Sequence, residues 1–181
     1  MKRRENMKEI EVKVIDIDVK QIKELLINLN AKKIKEEFQE NYFFDLPIQN
    51  DGYIRIRKTK NLIDNTEKII LTSKLIISKN LTRQTIEKDV VINSVEAGIN
   101  FLKSIGINFL KKATKHRESF LFNNCIIDFD TWNKEEFPFP YIEIESEDES
   151  FILETIKLLK IDLSNVTSKT LNEIKKEKGL I

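Results

Sequence analysis

Apolar and polar residues alternate with a period of two over much of this chain. Ile10 and Val12 stand between Glu9, Glu11 and Lys13, Ile54 and Ile56 alternate with Arg55 and Arg57, and Ile142 and Ile144 alternate with Glu143 and Glu145. Successive side chains of a strand point to opposite faces, so each of these segments has one apolar and one charged face. Similar alternation, or runs rich in Ile, Val, Phe and Tyr, predicts eight strands over 9–17, 33–46, 53–60, 68–78, 82–92, 109–122, 125–132 and 141–147.

Helical spacing interrupts the strands. Asp18 precedes Val19, Ile22, Leu25, Leu26 and Leu29, and Ser94 precedes Val95, Ile99, Leu102 and Ile105. Ser150 opens a run with Ile152, Ile156, Leu158 and Leu159, and Ser168 starts a last, more polar helix that ends near Gly179. Short connections predict mainly antiparallel pairing. Eight long antiparallel strands avoid bare edges by closing on themselves, so the expected fold is α+β, a closed eight-stranded antiparallel β tunnel with helices packed outside.

Composition adds boundaries. The 181 residues include only four Gly and three Pro, with no linker, low-complexity tract or repeat, so one domain over 1–181 is expected. The 31 basic and 30 acidic residues nearly cancel. No whole-molecule field therefore draws in nucleic acid or a membrane, and any charge-based function is local. A single Cys125 excludes an internal disulfide framework and a Cys-rich zinc site, and fits a reducing cytoplasm. Lys2, Arg3 and Arg4 are followed by no apolar stretch long enough for a signal peptide or a membrane span, and either Met1 or Met7 could be the start. The oligomeric state stays open, a homodimer included.

The charged faces recur along the chain. Arg83, Thr85, Glu87 and Asp89 oppose Ile86 and Val90, Lys115 and Arg117 share a face, and Asp128 and Asp130 oppose Ile127 and Phe129, with Thr72 and Lys74 a weaker case. Alternating charge ordinarily marks the wet side of a sheet. Here the apolar stripes of the helices must cover the apolar side of the strands, which leaves the charged side as the lining of the interior. Charge held inside persists only where ions, phosphates or water compensate it. Glu9, Glu11, Asp130, Glu143 and Glu145 offer carboxylate oxygens suited to Mg²⁺ or Mn²⁺, and the Arg and Lys side chains suit phosphate oxygens. Together they fit a metal-bound polyphosphate.

EIEVK at 9–13, NYFFD at 41–45, IRIRK at 54–58, LTSK at 71–74, KHR at 115–117 and DTW with YIEIE across 130–145 form an ordered set. That set resembles the CYTH superfamily, the triphosphate tunnel metalloenzymes, over nearly the whole chain. The family holds class IV adenylyl cyclases, thiamine triphosphatases, inorganic tripolyphosphatases and RNA triphosphatases on an eight-stranded antiparallel tunnel. The resemblance implies metal-binding roles for Glu9, Glu11, Asp130, Glu143 and Glu145, a set that suits Mg²⁺ or Mn²⁺ better than zinc.

 It likewise implies triphosphate-binding roles for Lys13, Arg55, Arg57, Lys74, Arg83, Lys115 and Arg117, with Glu9, Glu11 and Lys13 as the catalytic group. Glu87 and Asp89 resemble the family's acidic pair after a basic residue, and Asp128 competes with Asp130 for the place facing the metals. Two departures stand out: Thr85 occupies a position where many members carry a further acid, and Glu135 to Pro140 replace a Gly-containing loop.

The implied function is a Mg²⁺- or Mn²⁺-dependent enzyme, with two ions in the active complex, acting on a small-molecule triphosphate. Hydrolysis of the phosphoanhydride of tripolyphosphate, thiamine triphosphate or a nucleoside triphosphate is the first expectation. Adenylyl cyclisation of ATP is the alternative, since only the attacking group differs. A non-catalytic nucleotide- or polyphosphate-binding module is a third reading. His116, between Lys115 and Arg117, is expected to face away from them, and Cys125 to be a small buried hydrophobe. Trp132, Phe137, Phe139 and Tyr141 read as core or rim, with adenine stacking the sharper alternative. The 169–178 run reads as a solvated helix face, and Thr167 and Ser168 make that helix a candidate lid.

Overall fold

The computed structural model describes residues 8–47 and 51–181. Lys2, Arg3, Arg4 and the alternative starts Met1 and Met7 lie outside the described residues. In chain order the elements are β1 (Lys8–Val14), α1 (Val19–Asn28), β2 (Lys32–Phe44), β3 (Gly52–Asn61), β4 (Glu67–Lys79), β5 (Arg83–Val91), α2 (Val95–Ser104), β6 (Phe109–Phe122), β7 (Cys125–Trp132), β8 (Tyr141–Ser146), α3 (Glu149–Leu158), β9 (Val166–Thr167) and α4 (Leu171–Glu177).

The long strands pair in the order β5-β4-β3-β2-β6-β7-β8-β1, and β1 pairs back onto β5. That last antiparallel pairing closes the sheet into the expected tunnel and removes its edges. β5 covers β1 as far as Glu11, and the short β9 takes over at Lys13 and Val14. The β6–β7 hairpin turns through Asn123 and Asn124, both at positive φ (48° and 57°). Two left-handed residues give a turn whose twist matches that of the strands, and Asn tolerates that conformation.

Helices cover the apolar outside. Ile22 and Leu26 of α1 and Ile152 and Ile156 of α3 pack with Ile10, Val12, Val14, Ile127, Phe129, Ile142 and Ile144. Burying a side chain such as Leu26 or Ile152 contributes about 1.5–3 kcal/mol. On the other side, Leu102 of α2 joins Phe44, Ile54 and Ile56. Gly98 brings α2 close: a Cβ there would stand 2.7 Å from Ile92 Cδ1 and 2.8 Å from Ile56 Cδ1.

Several boundaries differ from the expected ones for local reasons. β1 stops at Val14, short of Ile17, because Asp16 adopts a φ of 57°. α3 is capped by Asp148, which accepts from the Ser150 amide, so Ser150 lies inside the helix. α4 is capped by Thr170, whereas the Ser168 hydroxyl donates to the Asn80 carbonyl at 2.7 Å. α4 is also less solvated than its charge pattern implies. Its Leu171 and Ile174 pack on Ile15, Phe43, Ala113, Trp132, Phe137 and Tyr141, closing one end of the tunnel.

Candidate active site

Strand register decides which side chains meet inside. Glu11 stands opposite Arg83 on β5 and Glu145 on β8, Lys13 opposite Glu143, and Glu143 opposite Asp128. Asp130 faces Arg117, Lys74 faces Glu87, Thr72 lies between Arg55 and Asp89, and Glu9 stands opposite Thr85. Since partners across a ladder share a face, all of the charged residues singled out in the sequence project to the lumen side. Asp128 and Asp130 are two apart and both project there, so neither excludes the other. Asp89 sits at the exposed rim, where it accepts from the Thr72 hydroxyl at 2.6 Å.

Most of these groups neutralise one another. Arg117 donates to Asp130 at 2.6 Å and to Glu143 at 2.7 Å, and also pairs with Asp128. Lys115 donates to Asp130 at 2.8 Å, and Lys13 lies 3.3 Å from Glu143. Glu11 accepts from Arg83 Nε at 2.6 Å and lies 3.6 Å from Lys74, which in turn pairs with Glu87 at 2.5 Å. Burial alone would raise the pKa of Glu11, but Lys74, Lys13 and Arg83 outweigh it and hold the carboxyl at about 2. Burial works the same way on Glu143, where Lys13 and Arg117 overcome it and keep the group well below the carboxylate range. Lys115 goes the other way: burial, reinforced by Arg117, lowers its ammonium to about 7.

Of the residues expected to bind metal or phosphate, four have no ion-pair partner among the described residues: Glu9, Glu145, Arg55 and Arg57. Burial, with Glu87 and Glu145 nearby, raises Glu9 to about 8. Burial, with Asp128 and Glu11, raises Glu145 to about 7. Burial and the neighbouring Arg55 and Arg117 lower Arg57 to about 10. Lys74 acts on both Glu9 and Glu145, and Glu87 on both Arg55 and Arg57, but none of the four is held in an ion pair, so their charge is only partly compensated.

That imbalance tests the fit of a metal. Among the described residues no three acidic, His or Cys side chains are gathered closely enough to hold an ion as they stand. The donor chemistry nevertheless suits a hard divalent cation, since it is entirely carboxylate oxygen, and the burial and neighbouring acids that raise Glu9 and Glu145 are what a bound cation would offset. The other carboxylates are occupied by bases, Asp128, Asp130 and Glu143 all pairing with Arg117.

The lumen also holds residues to which the sequence reading gave no role, Asn41 of the 41–45 segment among them. Glu37, Gln39 and Asn41 of β2 stand opposite Arg117, Lys115 and Arg57. Gln39 donates to Glu37 at 2.8 Å, and Asn41 accepts from Arg57 Nε at 2.9 Å. Their two-residue spacing was a usable signal, but the neutral amides of Gln39 and Asn41 do not stand out beside a charge pattern. His116 faces outward, 3.3 Å from Glu36, and Cys125 is buried, both as expected. Trp132 is core at the closed end, its indole N–H donating to the Tyr141 hydroxyl at 3.0 Å and its ring lying 4.8 Å from the Lys115 ammonium.

A CYTH domain family model matches residues 7–175. Among solved structures, the PH1012 protein of Pyrococcus horikoshii OT3 is similar at a TM-score of 0.77 and 25% identity, with 91% of this chain and 98% of that chain covered. The PH1819 protein of the same organism gives 0.69 at 23% identity, covering 94% and 99%. The Hippeastrum protein HpAC1, described as having a dominant triphosphatase activity, gives 0.66 at 15% identity, covering 97% and 96%. No curated protein matches the sequence.

Proposed function

The chain belongs to the CYTH family, and we propose that it is a divalent-metal-dependent enzyme, formed as one domain, that hydrolyses a phosphoanhydride of a small-molecule triphosphate. The observation that carries this reading is the pair of arginines without an ion pair, Arg55 and Arg57, sharing a lumen with the carboxyls Glu9 and Glu145, which form none either. An anion alone would satisfy the first pair and a cation alone the second. A metal-bound triphosphate satisfies both.

Glu9, Glu11, Asp130, Glu143 and Glu145 would hold Mg²⁺ or Mn²⁺, two ions in the active complex, whose chemistry when bound is to neutralise phosphoryl charge and acidify a coordinated water. Arg55 and Arg57 receive phosphate oxygens first, since they have no carboxylate to give up. Lys13, Lys74, Arg83, Lys115 and Arg117 then exchange a carboxylate partner for a phosphate oxygen, freeing the acids that held them. The exchange keeps every buried charge compensated. Glu9, Glu11 and Lys13, on one strand, stand beside the reacting phosphoryl group.

Hydrolysis is favoured over cyclisation by the closed end. Phe137, Tyr141 and Trp132 are buried against one another and against Ile174, so their faces are not free to stack on a base. The test is a panel of tripolyphosphate, thiamine triphosphate and ATP with Mg²⁺ or Mn²⁺, with products identified. Metal-dependent phosphate release, lost in Glu9→Gln and Glu145→Gln, is expected. Cyclic AMP with pyrophosphate from ATP would establish the cyclase instead, and metal-independent binding without turnover a binding module.

A further inference from the structure

Asn41 is fully buried on the lumen side of β2, with Arg57 opposite on β3 and the small Ala113 opposite on β6. Its Oδ1 accepts from Arg57 Nε at 2.9 Å. A guanidinium has only donors, so this bond fixes which way round the amide lies. Nδ2 is left turned away from Arg57, and among the described residues it has no hydrogen-bond partner. Arg55, the diagonal neighbour on the same face, has a buried Nε that is equally without a partner. Buried donors left unmade are costly, and these two stand beside guanidinium groups that form no ion pair with any carboxylate of the described residues, Glu87 acting on them only from a distance. The group missing from this corner is an anionic oxygen.

We propose that Asn41 is a substrate-binding residue, its Nδ2 donating to a non-bridging phosphate oxygen held by Arg55 and Arg57. The assignment rests on the triphosphate reading above. It also gives a reason for an amide at this position. A carboxylate would keep the acceptor for Arg57, but it would cancel the charge the phosphate needs and replace the donor with a repelling oxygen. Asn41 holds the arginine without neutralising it.

Calorimetric titration with tripolyphosphate, with and without Mg²⁺, tests the role on the wild type, Asn41→Asp and Asn41→Ala, alongside thermal melts. Asn41→Asp is nearly isosteric and retains the Arg57 contact. It is expected to melt at or above the wild-type temperature and yet bind tripolyphosphate about a hundredfold more weakly, with Asn41→Ala about tenfold weaker. If Asn41→Asp binds as tightly as the wild type, the amide serves only to hold Arg57 and the proposal is overturned. Should Asn41→Ala not fold, Asn41→Ser, which retains a donor, is expected to bind better than Asn41→Asp, and the reverse order overturns the proposal. A wild type that binds none of tripolyphosphate, thiamine triphosphate and ATP overturns the functional reading itself, whereas a binding wild type with unchanged variants overturns only the role of Asn41.

Discussion

Glu9 and Glu145 are carboxyls whose neighbours favour the proton. Their pKa values of about 8 and about 7 lie above the ordinary 4.5, so near neutral pH the folded, metal-free chain holds protons that the unfolded chain has released. Their contribution to stability is therefore complete below pH 4.5 and is lost as pH rises through 7 and 8. The expected result is a melting temperature in chelator that falls between pH 5.5 and 7, above which Lys115, lowered to about 7, acts in the opposite direction, the fall being reduced in Glu9→Gln. Mg²⁺ should flatten the trend, because a cation replaces the protons. A melting temperature in chelator that does not change across this range would refute the assignment of raised carboxyls.

At the scale of elements, α4 is held by a small number of contacts. The Thr170 hydroxyl accepts from the Glu173 amide at 3.2 Å, and Glu173 accepts from the Thr170 amide and hydroxyl, both at 2.7 Å. Burial tends to raise Glu173, but these bonds and Lys79 overcome it and lower the group to about 2. Its support for the helix is present above pH 4.5 and disappears as pH falls through 2. Thr170→Ala is expected to cost about 1 kcal/mol, seen as faster amide exchange confined to α4. Equal loss of protection in β1 and β8 would mean that the cap acts on the whole fold. The strands were legible because charged and apolar residues alternate in eight separate segments, and one closed sheet accounts for all of them. β9 was not, since two residues have no period. Asp148 and Thr170 were passed over as caps because Ser150 and Ser168 lie two residues away and carry the same chemistry. The charged side chains of the candidate site could be read one by one, but their pairing could not: which carboxylate Arg117 takes depends on register across three strands.

For the molecule as a whole, a ligand that exchanges ion pairs across the lumen joins strands far apart in sequence. Tripolyphosphate with Mg²⁺ at a hundred times its dissociation constant should add about 2.7 kcal/mol to stability. For a chain of this size that is a rise of about 5–11 °C in melting temperature, removed by chelator. A shift of equal size with sulfate alone would assign the effect to general anion binding. The closing pairings have a further consequence, in the order in which the chain is made. β1 leaves the ribosome before its partners β5, β8 and β9, the last of which ends at Thr167. At about 5–20 residues per second, the stretch from the end of β1 to the end of β8 takes roughly seven to twenty-six seconds to make, and through it β1 waits without a partner on at least one side. Glu9, Glu11 and Lys13 keep one face of that waiting strand in water. The same charges that line the finished lumen thus protect the nascent strand from pairing with the wrong chain.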